Sequence, residues 1–328
     1  MSKIAVGILG TGSGIPQKVL TNDELSRMVD TNDEWIRTRT GIRERRIAED
    51  HIASSDLAVE AAERAMVKAG ITAEQVDLII CATVTPDHPF PSTACMVQNR
   101  IGAKKAAAFD LSAGCTGFIY GLSVAVPMLQ SGTYKHAIVI GVETLSRITD
   151  YTDRSTCVLF GDGAGAVVLG PVEEGRGFLS FEMGADGSGG NLLMMEAGGS
   201  RNPATQETVL ARKHSISMAG NEVFKFAVRT LGACSEAALK KAGLTKEDVD
   251  FLVPHQANIR IIEYATERLN LSPDKVIINV ERYGNMSSAS VPVALDEALA
   301  LGKIKEGDTV VLVAFGAGLT WGATVLKW

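Results

Sequence analysis

AGITAEQVDLII at residues 69–80 returns as AGLTKEDVDFLV at 242–253, an offset of 242 − 69 = 173. At the same offset AIVIGV (137–142) falls on VVLVAF (310–315), and AGAVVL (164–169) resembles WGATVL (321–326) at an offset of 157. Three segments in one order indicate an internal duplication. The first half then carries 173 − 157 = 16 extra residues, around 144–160. Outward from these segments, β-branched runs alternate with amphipathic ones. Strands are expected at 4–10, 77–83, 106–111, 137–142, 164–169, 178–183, 250–254, 276–280, 309–315 and 321–327, and helices at 55–69, 92–101, 116–131, 220–242, 258–269 and 288–301. Such alternation points to an α/β protein with parallel or mixed sheets covered by helices on both faces. No Pro/Gly/Ser linker separates the halves, so one compact body is expected, divided at 1–173 and 174–328. The glycine-rich stretch 184–203 reads as a long loop near a site.

The chain has 328 residues, enough for a sizeable core, and its net charge of −6 argues against nucleic acid as a partner. No apolar stretch approaches the roughly 20 residues that cross a bilayer, and MSKIAVGILGTGSG lacks a signal-peptide pattern. A cytoplasmic protein without membrane association is therefore expected. Five cysteines (81, 95, 115, 157, 234) show no metal-ligand spacing and read mostly as small buried hydrophobes. No metal or resident cofactor is expected.

Cys115 differs in context. It lies in AFDLSAGCTGFIYGLSVAV, where a buried strand runs through small residues into a helix. A thiol at a helix N-terminus meets unpaired N–H groups and the positive end of the helix dipole, which favour the thiolate. The same N–H groups suit the oxyanion of a tetrahedral intermediate. The duplicate of Cys115 is residue 115 + 173 = 288, a serine just after Asn285 in RYGNMSSASVP. His255 follows the strand DFLVP in PHQAN, another strand-end position where α/β enzymes place reactive groups. Taken singly, a histidine or asparagine is usually structural, and the cysteine is as readily a buried thiol as a nucleophile. Three such groups at strand ends across both halves are harder to dismiss as structural.

DEWIRTRTGIRERR (33–46), AGCTGF (113–118), FGDGAGAVVL (160–169), MAGNEVFKFAV (218–228), VPHQANIRII (253–262), GNMSSASVPVALDEAL (284–299) and AFGAGLTWGATVL (314–326) together resemble β-ketoacyl-acyl carrier protein synthase III. The resemblance spans nearly the whole chain in the family's order. It implies the thiolase-like fold, five layers α-β-α-β-α made of two duplicated halves, acting as a homodimer. It implies that Cys115 takes an acyl group from acyl-CoA, and that His255 and Asn285 stabilise the enolate formed when malonyl-acyl carrier protein loses CO2. The backbone N–H groups of Cys115 and Ala317 would form a second oxyanion hole. The family usually has glycine at 317, and a backbone donor tolerates alanine there if its φ is not positive.

Further roles transfer by the same resemblance. Thr31, Trp35, Arg39, Arg154, Gly220, Asn221 and Asn258 match CoA-binding positions, with Trp35 and the arginines around the adenine. Phe90, Leu145 and Phe315 match the acyl pocket, Phe90 reaching it from the partner subunit, which implies an acetyl or small branched primer. Lys225, Arg260 and Arg268 match the surface that docks the acidic acyl carrier protein, although Glu267 stands where the family often has a second basic residue. The arginines at 37, 39, 43, 45 and 46 read otherwise as a solvated face. GTGSG (10–14) reads as a turn, the glycines of GDGAGA (161–166) as close packing beneath the site, and His51, His88, His136 and His214 as surface or loop residues. The same triad would serve a relative with a different acyl donor or acceptor in polyketide or other secondary metabolism. A cysteine hydrolase and a non-catalytic scaffold fit the duplication and the intact trio less well.

Overall fold

In the computed structural model, which describes residues 4–328, the two halves build two sheets of matching topology. The first sheet contains β1 (Val6–Gly14), β2 (Leu78–Ala82), β3 (Ala107–Leu111), β4 (Ala137–Thr144) and β5 (Asp162–Pro171), in the order β1-β5-β4-β2-β3. The second contains β6 (Gly177–Ala185), β7 (Phe251–Pro254), β8 (Thr309–Gly316) and β9 (Thr320–Lys327), in the order β6-β9-β8-β7. The register repeats with the sequence. Leu78 pairs with Ala137 in parallel, and Phe251 with Val310, each partner displaced by 173 (78 + 173 = 251; 137 + 173 = 310).

Alternate residues of these strands enter different apolar clusters, because the side-chain period of a strand is two. Ile79 and Cys81 of β2 and Ile138 and Ile140 of β4 pack beneath α2 (Ser54–Ala69) and α3 (Thr93–Arg100). Their neighbours Leu78, Ile80 and Val139 face α4 (Gly117–Gln130) and α7 (Ser290–Ala300), which also cover Val310, Leu312 and Ala314 of β8. Val311, Val313 and Phe315 face α5 (Gly220–Lys241) and α6 (Ile259–Arg268). Three helical layers thus enclose two sheets, the five-layered thiolase arrangement, and strands covered on both faces explain the unbroken apolar runs in the sequence.

Several expectations change. Residues 276–280 form only a single bridge, Leu252 to Val276. The side chain of Gln256 replaces the ladder there, donating to Pro254 O and Ile277 O and accepting from the N–H groups of Asn279 and Val280. GTGSG is not a turn but the end of β1. A Cβ on Gly10, Gly12 or Gly14 would stand 2.4, 2.4 or 2.2 Å from a carbonyl oxygen of α2, so these glycines let helix and strand touch. The GDGAGA glycines do pack closely, Gly161 against Tyr283 O at 2.3 Å and Gly163 against Met286 Sδ at 2.6 Å for an added Cβ. Arg45 is fully buried, its guanidinium donating to Leu20 O, Asn22 Oδ1 and Val158 O. His136 is buried at the start of β4. Cys95 is exposed, whereas the other four cysteines are buried. Two short ribbons, Val19–Thr21 with Glu44–Arg46 and Leu193–Met195 with Ile216–Met218, and the helix α1 (Asp33–Thr40) lay outside the expected elements; α1 starts at the Asn32 cap and stops at Gly41, where φ is +79°. No helix among the described residues is long and apolar enough to cross a membrane.

Candidate active site

β3 ends at Leu111, and a single turn, Gly114–Thr116, leads into α4. Gly114 takes φ +54°, which glycine adopts without strain, and this places Cys115 against the loop after β8. Gly316 lies so close that an added Cβ would come within 2.7 Å of Cys115 N. Ala317 avoids positive φ, so its N–H reaches Cys115 at no backbone cost. A helix N-terminus by itself would lower the thiol pKa. Instead burial pushes Cys115 up to about 11, outweighing the hydrogen bond from Ser287 and the N–H groups of Cys115 and Ala317, which pull the other way. A helix-terminus argument alone treats the thiol as solvated, and here it is sealed in.

His255 stands at the end of β7, buried, with its ring edge-on to Phe315 at 5.4 Å. Burial lowers it to about 3, so the imidazole is neutral at physiological pH. Its Nδ1 lies 2.6 Å from Ser290 Oγ, which also accepts from Gln256 N–H. When Ser290 donates to Nδ1, the imidazole hydrogen sits on Nε2. Asn285 is threaded between Leu159 and Gly161, donating its N–H to Leu159 O and accepting from Gly161 N. Its side-chain Oδ1 accepts from Ser287 N–H at 2.9 Å, which turns the amide nitrogen outward as a donor.

Cys115, His255 and Asn285 line one cavity of about 90 Å³, together with Phe315, Gly316, Gly220 and Asn258. Cys115 also lines a second, almost wholly apolar cavity of about 160 Å³ with Val84, Leu145, Ile148, Phe160 and Met194. The thiol thus sits where two cavities meet. The stretch 184–203 supplies Leu193, Met194 and Met195 to that junction, as its reading as a site loop anticipated.

Among the proposed CoA positions, Arg39 and Arg154 lie 5.1 and 5.0 Å from the centroid of the Trp35 ring. Arg154 is also tied to Asp30 O at 2.9 Å. Thr31 Oγ1 is buried with no hydrogen-bond partner among the described residues. Asn258 caps α6 and donates to Arg39 O at 2.9 Å, while Gly220 and Asn221 open α5, exposed. Phe90 is 86% exposed and does not line the Cys115 cavity of its own chain. On the rim, Lys225 pairs with Glu222, Arg260 lies over Phe224, and Arg268 is held by Glu236 at the far end of α6.

Glu143, Ser287 and Ser290 escaped the sequence reading. Glu143, next to last in β4, is fully buried and accepts from Thr85 Oγ1, Val84 N, Ser287 Oγ and Ser288 Oγ. Its only signal was one acid closing the apolar run AIVIGVET.

Residues 109–187 match the family model for 3-oxoacyl-[acyl-carrier-protein] synthase III, and residues 239–328 the model for its C-terminal part. The chain is 60% identical to the β-ketoacyl-[acyl-carrier-protein] synthase III of Symbiobacterium thermophilum, over 98% of each chain. It superposes on the crystal structure of the Thermus thermophilus β-ketoacyl-[acyl carrier protein] synthase III with TM-score 0.92 and 49% identity, covering 98% of this chain and 99% of that one. A priming β-ketosynthase from the R1128 polyketide biosynthetic pathway superposes equally well, TM-score 0.92 over 99% and 97%, at 35% identity.

Proposed function

The chain belongs to the β-ketoacyl-[acyl-carrier-protein] synthase III family, condensing acyltransferases of fatty acid biosynthesis, and from that premise we propose how its residues divide the chemistry. Cys115 attacks a short acyl-CoA, and CoA leaves. Malonyl-acyl carrier protein then enters and loses CO2. The resulting enolate oxygen is stabilised by His255 Nε2–H and the Asn285 amide, and its carbon attacks the Cys115 thioester. The N–H groups of Cys115 and Ala317 hold the oxyanion of that step. Acyl-CoA is a substrate here, and no resident cofactor takes part.

The observation that carries this reading is the meeting of two cavities at Cys115, one lined by His255 and Asn285 and the other apolar. About 160 Å³ is close to an engineered cavity of roughly 150 Å³ that accommodates benzene, which supports an acyl group of a few carbons. Identity of 60% to a synthase III against 35% to the polyketide enzyme disfavours the secondary-metabolic alternative. The two halves, 1–173 and 174–328, are taken as duplicated units because register and topology repeat at one offset. A homodimer is proposed because Phe90 is exposed away from its own cavity, and a cytoplasmic location follows from the acyl-CoA and carrier-protein substrates. Lys225, Arg260 and Arg268 are the proposed carrier-protein contacts, and Lys225 and Arg268 would each exchange a surface ion pair, with Glu222 and Glu236, for one with the carrier.

Intact-protein mass spectrometry tests the reading. Acetyl-CoA should add one acetyl group to Cys115, and malonyl-acyl carrier protein should discharge it as acetoacetyl-acyl carrier protein. No adduct with acetyl- or isobutyryl-CoA, or an adduct lost only to water, would overturn it.

A further inference from the structure

We propose that Glu143 is the proton acceptor for Cys115, acting through the hydroxyl of Ser287. This rests on Cys115 being the nucleophile. A buried thiol cannot be solvated as it ionises, and burial makes His255 a weak base, lowered to about 3. The remaining path runs through Ser287. Ser287 lines the same apolar cavity as Cys115, and its hydroxyl donates to Glu143 Oε1 at 3.1 Å. Ser287 holds this position at φ +47°, a conformation uncommon for a residue with a Cβ.

The surroundings of Glu143 accept either protonation state. Ser288 has one hydroxyl proton and two acceptors at 2.9 Å, Glu143 Oε1 and Ala82 O. When Glu143 is ionised, Ser288 donates to it. When Glu143 is protonated, Ser288 turns to Ala82 O and its oxygen is free to accept from the carboxyl. The titratable groups that face Glu143 are Cys115 from the opposing turn and Cys81 from β2, and no lysine or arginine bonds it among the described residues. Burial raises Glu143 to about 7, a basicity suited to proton exchange near neutrality.

In the step itself the S–H bond breaks and its electron pair stays on sulfur. The proton passes to Ser287 Oγ while the Ser287 proton passes to Glu143 Oε1. The thiolate adds to the acyl-CoA carbonyl, and the bond from that carbon to the CoA sulfur breaks. CoA leaves from the carbon that Cys115 attacks, so the proton returns to it along the same path and Glu143 regains its charge.

The test is the rate of iodoacetamide alkylation at Cys115, mapped by mass spectrometry from pH 5 to 10, in the full-length protein. Wild type should reach half its maximal rate near pH 7. Glu143→Gln should slow alkylation at pH 7 by about tenfold or more, with a rate still climbing beyond pH 9. A bystander carboxylate has the opposite sign, since its charge only raises the thiol pKa and its removal would speed the reaction. Ser287→Gly removes the relay hydroxyl, suits the positive φ, and should reproduce the loss even if Glu143→Gln folds poorly. Equal or faster alkylation in either folded variant overturns the proposal. Because the probe contains no CoA, acetylation mapped elsewhere than Cys115 would defeat the functional reading separately.

Discussion

The turn Gly114–Thr116 and the turn Ser287–Ala289 are duplicates, 173 residues apart, and they do different work. Each begins with a positive φ, +54° at Gly114 and +47° at Ser287. Each meets the end of the equivalent strand from the opposite half. Glu143, next to last in β4, binds Ser287 and Ser288, whereas its duplicate, Gly316 (143 + 173), closes β8 and lies against Cys115. The first turn offers a thiol to backbone N–H groups. The second offers hydroxyls to a carboxylate and, through Ser287 N–H, aims Asn285. One backbone device, used twice, became a reactive turn and a supporting turn by changing Gly114/Ser287, Cys115/Ser288, Gly117/Ser290 and Glu143/Gly316.

The most severe way to break this asymmetry is Cys115→Ser, which makes the first turn resemble the second at its reactive atom. Acylation by acetyl-CoA should fall by about ten-thousandfold, because a buried serine hydroxyl is far less acidic than a thiol, and intact mass would show no adduct. Asn285→Ala attacks the supporting side. It should leave acylation nearly intact while condensation falls by about 10²–10³-fold, the usual loss for one oxyanion donor, so that acyl-enzyme accumulates in single-turnover assays. Equal loss of both steps would show that the two turns do not divide the chemistry.

Charge separates the turns next. Glu143, held at about 7 against an ordinary 4.5, keeps its proton in the fold while the unfolded chain loses it between those values. Its contribution to stability is therefore complete below pH 4.5 and lost as pH rises through 7. His255 runs the opposite way. With its pKa lowered to about 3, it contributes stability above pH 6.5 that is lost as pH falls. Glu143→Gln removes only the first slope, so denaturant unfolding should shift in the variant's favour by on the order of 2 kcal/mol between pH 5 and pH 8. A difference independent of pH would mean that Glu143 does not titrate there.

Much of this was legible in the chain. The 173-residue offset carried topology, register and the placement of the extra residues, because buried strands keep their apolar runs even when helices diverge. What stayed hidden depends on neighbours distant in sequence. Glu143 looks like a strand terminus until Ser287 and Ser288 arrive from the other half. Arg45 looks like surface charge until Leu20, Asn22 and Val158 surround it. GTGSG looks like a turn because glycine's commonest use is conformational, whereas here contact with α2 demands it. The Cys115 pKa went the other way for the same reason, since local sequence reveals the helix terminus and not the seal over it.

Ser290 probes a smaller difference. Its duplicate Gly117 has no side chain, so only the second half orients an imidazole. Ser290→Ala should lower condensation about tenfold, the value of one lost buried hydrogen bond, with acylation near wild type. Loss confined to acylation would place His255 on the wrong step.

The region with no duplicate gives the mildest and most local prediction. The extra residues between β4 and β5 carry Leu145 and Phe160 into the apolar cavity and Arg154 to the Trp35 ring, 5.0 Å from its centroid. Arg39 and Arg154 lie 5.1 and 5.0 Å from the centroid of this indole. What Arg154 would offer CoA is a planar guanidinium beside the indole and a positive charge. That contribution is small for exposed groups. Arg154→Ala should raise KM for acetyl-CoA about two- to fivefold and leave kcat unchanged, as expected for binding used equally by ground and transition states. Trp35→Ala, which removes the platform itself, should raise KM further. A fall in kcat for Arg154→Ala would instead tie the inserted segment to the Cys115 turn, and the halves would then differ in how that turn is held as well as in what it carries.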